Sequence, residues 1–193
     1  MENVKCKMEN PPRVVLGIDP GTGRLGWGVV SKTRNSQLAT RNSNSVELID
    51  CGVLETPAKT PLPDRLEFIF NGLKEVIKKY EPTELAIEEL FFVKNIKTGI
   101  SVAHARGVAM LAGKQAGIEI FEYKPNEIKL SICGYGHADK KQMAKMVELH
   151  IRGCKIKQDD AADAVAVALT HLQISKSNQL SAIRNQLNAK KTI

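Results

Sequence analysis

The apolar run Val14-Val15-Leu16-Gly17-Ile18 ends on Asp19 and meets Pro20-Gly21-Thr22-Gly23. A short run rich in β-branched residues, bounded by turn formers, reads as a buried strand. The Pro-Gly pair forces the chain to reverse. A second apolar stretch, Leu25–Ser31, follows that glycine-rich turn, so the two are expected to pair as antiparallel neighbours. The core-forming strand thus delivers a carboxylate, Asp19, at its end, where the sheet fixes the backbone.

The rest of the chain extends this start into an α/β domain. Val46–Leu54 reads as a third strand beyond a polar, Ser/Asn-rich loop at 35–45, which completes an antiparallel meander. The pattern then changes. Leu66, Ile69, Phe70, Leu73 and Ile77 recur at helical spacing behind Pro61 and Pro63, predicting an amphipathic helix over about 63–80. Glu84–Glu88 is a short apolar strand reached after a helix, hence parallel to the first. A helix over 97–116, a strand over Ile118–Tyr123 and helical segments near 125–132, 139–151 and 159–172 follow. The expected architecture is a five-stranded mixed sheet, three antiparallel strands then two parallel, flanked by helices. A length of 193 residues suits one domain at 13–173, with a leader at 1–12 and a basic tail at 174–193. That tail reads at most as a short helix through Leu180, Ile183 and Leu187. The N-terminal stretch lacks the apolar centre of a secretory signal, and the four cysteines lack metal-binding or redox spacing. A cytoplasmic protein with reduced thiols is expected.

Charge narrows the partner class. The chain carries a net +7, and from Lys124 to Lys157 eight basic residues face three acids. Residues 174–193 add Lys176, Arg184, Lys190 and Lys191 with no acid. A basic surplus concentrated in one half favours a polyanion over a merely soluble surface.

Against that basic background stand carboxylates in particular settings. Glu88 closes its strand as Asp19 closes the first. Asp160 and Asp163 lie three apart at the head of an alanine-rich helix, so they share a face. Phosphodiester hydrolysis needs an activated water and a way to spread charge at the phosphorus and the leaving oxygen. Two magnesium ions roughly 3.5–4 Å apart supply both, and oxygen ligands hold magnesium. Asp19 also fits a simple turn former, Glu88 a solvated strand-end acid beside Glu89, and Asp159, Asp160 and Asp163 helix-dipole partners. Spacing alone leaves Asp159 and Asp160 equally open. Lys129, and Lys140 with Lys141 after the loop Gly134-Tyr135-Gly136-His137, are candidate phosphate contacts or solvated helix positions. Phe91-Phe92 is either core or a loop aromatic able to stack on an unpaired base. His104 and His137 read as structural or surface polar residues.

Five motifs in order, GIDPGTGRLGWGVV, AIEELFFVKN, AHARGVA, FEYKPNEIKLSICGYGHADKKQM and DDAADAVAVALTH, together resemble the RuvC family of bacterial Holliday-junction resolvases over Val14 to Leu172. The resemblance implies a ribonuclease-H-like fold, a homodimer, and paired symmetric nicks in four-way DNA junctions that leave 5′-phosphate and 3′-hydroxyl ends. It implies two Mg2+ per site, leaving open whether Mn2+ substitutes, and a RuvA–RuvB branch-migration complex as partner. By position it makes Asp19, Glu88, Asp160 and Asp163 the catalytic, metal-binding acids, favouring Asp160 over Asp159. Lys129 and Lys140 match functional lysines, Lys140 as a catalytic charge-neutralising group, and Phe91 matches a junction-stacking aromatic. Some members carry histidine at the third acid, where this chain keeps aspartate.

Three other readings compete. An actin-like kinase shares the first motif but needs two related lobes and about twice this length. A non-catalytic junction-binding protein would have lost acids that are all present here. Another ribonuclease-H-like nuclease, acting on RNA–DNA hybrids or transposon ends, fits the acids, while the lysine pattern and the helix at 97–116 favour the resolvase. The helix at 97–116 carries Gly99, Ala103, Gly107, Ala109 and Gly113, which suggests a thin surface for close packing against a second copy.

Overall fold

The computed structural model describes residues 12–32, 46–90 and 96–189. Strands β1 (Arg13–Asp19), β2 (Arg24–Lys32) and β3 (Val46–Glu55) form the meander, followed by helix α1 (Leu62–Tyr80). Strand β4 (Glu84–Glu88), helix α2 (Ile96–Gln115) and strand β5 (Glu119–Tyr123) complete the sheet. Helices α3 (Pro125–Cys133), α4 (Lys140–His150) and α5 (Asp159–Ala189) close the fold. The order across the sheet is β3-β2-β1-β4-β5. β1 pairs antiparallel with β2 and parallel with β4, and β5 runs parallel to β4. This is the five-stranded mixed sheet expected from the sequence. The predicted leader before residue 12, the 35–45 loop and Phe91-Phe92 lie outside the described residues.

Alternation along the strands sends side chains into two cores. Leu16, Ile18, Leu85 and Ile87 point to one face and pack under α1 and α2 with Ile69, Leu73, Ala105 and Ala109. Val15 and Ala86 point to the other and pack under α3, α4 and α5 with Ile128, Val147, Val165 and Leu169. Each cluster is apolar and closed, which is why strands β1 and β4 read as nearly continuous hydrophobic runs.

The second face holds α5 unusually close to the sheet. A methyl group on Gly17 would strike the Ala164 carbonyl and come within 2.8 Å of the Ala168 Cβ. One on Gly26 would strike the Asp160 carbonyl, and one on Gly28 the Val165 side chain. Three glycines on two strands therefore face the alanine-rich side of α5, whose Ala161, Ala164 and Ala168 are buried. Backbone meets backbone there, and the head of α5 is pressed against the ends of β1 and β2. A buried polar set pins α5 further along. His171 Nε2 lies 2.9 Å from Glu84 Oε2, and its Nδ1 lies 2.6 Å from the Tyr123 hydroxyl.

Helix α5 runs unbroken through Ala189, well past the predicted stop at residue 172. Polar residues after Ile174 weaken the apolar pattern but contain no proline or glycine, so nothing in them ends a helix already nucleated upstream.

Helix α2 also departs from expectation in its facing. Ala109 and Gly113 are buried, Gly113 against Leu85, so they belong to the core rather than to an outer surface. The outer stripe consists of Ile100, Ala103, His104, Gly107 and Leu111, all exposed. A helix built of small residues on both sides gives no periodic signal, and that is why the sequence alone could not separate the two faces.

Candidate active site

Asp19 and Glu88 close adjacent parallel strands, with Ile18 in register with Ile87, so their carboxylates leave the sheet side by side. Asp160 and Asp163 arrive from the first turns of α5, held at this end by the close approach at Gly26. Asp19, Glu88 and Asp163 line one cleft of about 500 Å3. Lys129, Asp139 and Lys140 line it too, and Pro125, Ile128 and Met143 give it an apolar wall.

Lys140 owes its place to a helix cap. Asp139 begins α4, its Oδ1 accepting from the Gln142 backbone N–H at 2.8 Å. The Gln142 side chain accepts in return from the Asp139 N–H at 2.9 Å. This reciprocal box is worth about 1 kcal/mol. It fixes Lys140 as the first helical residue, with its Nζ 3.5 Å from Asp163 Oδ2.

The electrostatics are those of crowded acids. Burial, then the charges of Glu88, Asp163 and Asp160, push the Asp19 carboxyl up to about 8. Burial followed by Asp163 raises Glu88, against the opposing pull of Lys140 and Lys129. Asp163 is raised by burial even though Lys140 stands beside it, so desolvation outweighs the ammonium there. Asp163 in turn raises Lys140. Three carboxyls resisting ionisation in one cleft form a site short of positive charge.

Asp160 is placed differently from its three companions. It does not line the cleft. Its Oδ2 accepts from Arg24 Nε at 2.5 Å, and the same guanidinium reaches Glu55 Oε2 at 3.2 Å through Nη1. Asp160 still acts on Asp19 through space, whereas Asp159 acts on Arg24 and Asp163. Lys141 is exposed and outside the cleft lining. Phe91 lies outside the described residues. Arg24, Glu55 and Asp139 were not found by sequence reasoning. The Asp-x-x-Gln box at 139–142 was legible in principle, but the meeting of Arg24 with Asp160 spans most of the chain and leaves no local signal.

The donor chemistry suits a hard divalent cation, since every candidate ligand is a carboxylate oxygen. Among the described residues, no three Asp, Glu, His or Cys side chains stand close enough to hold one ion between them as they are. Ligation therefore requires side-chain rotation within the acid group. Burial and then mutual repulsion raise Asp19 and Glu88, and burial raises Asp163, a penalty that a bound dication would offset.

A mixed sheet of this order, with acids at the ends of β1 and β4 and at the head of the final helix, defines a ribonuclease-H-like nuclease domain. The family model described as Crossover junction endodeoxyribonuclease RuvC matches residues 15–171. The RuvC of Chloroflexus aggregans is 48% identical over 157 residues, covering 81% of this chain and 90% of that protein. That of Fusobacterium nucleatum is 41% identical over 175 residues, covering 90% and 87%. The solved structure of Thermus thermophilus RuvC in complex with a Holliday junction substrate superposes with a TM-score of 0.76 at 32% identity, covering 86% of this chain and 96% of that one. The yeast mitochondrial Holliday junction resolvase Ydc2, at 14% identity and a TM-score of 0.64, shares the fold. This chain belongs to the RuvC family of crossover junction endodeoxyribonucleases.

Proposed function

We infer that this protein resolves four-way DNA junctions by paired, symmetric hydrolytic nicks made by a homodimer, leaving 5′-phosphate and 3′-hydroxyl ends. The observation that carries the reading is the cleft itself, in which three partly buried carboxyls share a deficit of positive charge beside two lysines. Family membership supplies the substrate class.

Asp19, Glu88 and Asp163 would hold two divalent ions, magnesium first and manganese as a substitute, with Asp160 as the fourth ligand. Bound there, the ions would supply Lewis acidity at the phosphorus and lower the pKa of the attacking water. Asp19 feels the charges of Glu88, Asp163 and Asp160 together, so it would be the most central ligand of the group. Lys140, capped into position and within ion-pair distance of Asp163, neutralises charge on the scissile phosphate as it builds. Lys129 provides a second cation on the same wall. Lys141, on the exposed side of α4, contacts the backbone farther out, and Phe91 stacks on an unpaired base at the branch point.

Two cuts in one junction require two such clefts. The exposed stripe Ile100, Ala103, His104, Gly107 and Leu111 on α2 is the proposed dimer face. Ile100 and Leu111 are about half exposed in a single copy, and Gly107 has nothing near it. A branch-migration complex of the RuvA–RuvB kind is the proposed partner for delivery of the junction.

The deciding experiment is cleavage of an end-labelled synthetic four-way junction with and without magnesium, with both nicks mapped. Paired nicks at symmetric positions, dependent on the ion and lost in Asp19→Asn, are expected. Ion-independent nicking, or preferential cleavage of an RNA–DNA hybrid, would overturn the reading.

A further inference from the structure

The Arg24 guanidinium grips two carboxylates at once, Asp160 at 2.5 Å and Glu55 at 3.2 Å. It cannot be switched off by deprotonation, because arginine stays charged. Its backbone is held by the reversed turn. The Thr56 hydroxyl donates to the Thr22 carbonyl at 2.7 Å, and the Thr56 N–H donates to the Gly23 carbonyl at 2.9 Å. On this fixed base the paired guanidinium stands partly in solvent, with 44% of the side chain exposed. Asp160 belongs to the acid group by its effect on Asp19, yet its Oδ2 is held by Arg24 and it is not among the residues that line the cleft.

We propose that Arg24 is a positioning residue that holds Asp160 back from divalent ions until a DNA phosphate draws the guanidinium away, so that metal loading and DNA binding are coupled. The proposal rests on the metal-binding reading of the acid group. Three physical facts support it. A guanidinium beside a carboxylate offsets the charge a cation would meet, and its own charge repels that cation. Phosphate is the other ligand that its planar fork fits, and the partly exposed Arg24 side chain is open to meet one. Glu55 shares the guanidinium, so Asp160 holds it by only part of its charge and release is cheap. Partly exposed ion pairs are weak, so the restraint tunes loading by a few-fold rather than blocking it. By linkage, a ligand that takes Arg24 from Asp160 must strengthen ion binding by the same factor that the ion strengthens binding of that ligand.

The test is an Mn2+ titration of the full chain, with free ion read from its electron paramagnetic resonance signal, without DNA and with a non-cleavable four-way junction. Without DNA, Arg24→Ala is expected to tighten Mn2+ binding roughly three- to fivefold. Glu55→Gln is expected to weaken it, because Arg24 then leans wholly on Asp160. Junction DNA is expected to tighten binding in the unaltered protein and to do so much less in Arg24→Ala. Unchanged or weakened affinity in Arg24→Ala, tightened affinity in Glu55→Gln, or an undiminished DNA effect in Arg24→Ala would overturn the proposal. Asp19→Asn separates the two levels of inference. If it binds Mn2+ as the unaltered protein does, the metal site itself is wrong and this proposal falls with it. If it loses Mn2+ while Arg24→Ala changes nothing, only the role of Arg24 falls.

Discussion

Asp19 illustrates what partial burial among like charges does to one carboxyl. Its proton is released near 3.8 in an open peptide but only at about 8 here. Between those values the folded protein holds a proton that the unfolded chain has lost, so the associated stability is complete below pH 3.8 and drains away as the pH climbs through 8. Metal-free protein should therefore melt at progressively lower temperature as pH rises, and Asp19→Asn should flatten that slope. At pH 8 the variant should melt roughly 4–8 °C higher, the shift about 2 kcal/mol produces in a chain of this length. Added magnesium should stabilise the unaltered protein and leave the variant unmoved, as differential scanning calorimetry would show. Lys140→Ala removes the cation nearest Asp163. It should slow junction nicking about 100-fold in single-turnover kinetics while binding by gel shift falls only slightly. That Asp19 and Glu88 line the cleft is legible in the sequence in so far as each ends an apolar run. The choice of Asp160 over Asp159 was not, since helix spacing serves both equally, and only the resemblance favoured one.

At the scale of elements, the decisive contact is that of α5 with β1 and β2. Gly26→Ala would drive a methyl into the Asp160 carbonyl, and Gly17→Ala would do the same at Ala164. Both should destabilise by about 3 kcal/mol, readable by urea denaturation. Gly26→Ala should also impair nicking beyond what its lost stability explains, because it pushes an acid-bearing turn off the sheet. The small side chains of the alanine-rich α5 permit the close approach. The glycines that receive it did not stand out, because strand glycines have several causes and their common target lies more than 130 residues away. Helix α5 was read as ending near 172 because the apolar pattern fades, yet backbone hydrogen bonding continues where no residue opposes it.

For the molecule as a whole, Gly107 offers a clean probe of assembly. Among the described residues, no atom outside its own stretch of helix lies within 4 Å of where its Cβ would stand, so Gly107→Leu should be accommodated in a single copy. If α2 is the dimer face, the variant should sediment as a monomer, should lose the concentration dependence of melting that a dimer shows, and should lose paired nicking first. Junction binding should weaken steeply with salt, as expected when lysines displace counterions from phosphates. The fold order was legible because hairpin, helix and crossover each have short-range signatures, whereas the facing of α2 depended on tertiary packing alone. The backbone-to-backbone seam beneath α5 has a last implication, for heat. Little within it can rearrange to let the acids drift apart, so nuclease competence and amide protection at residues 17 and 164 should vanish at one temperature, in a single cooperative step.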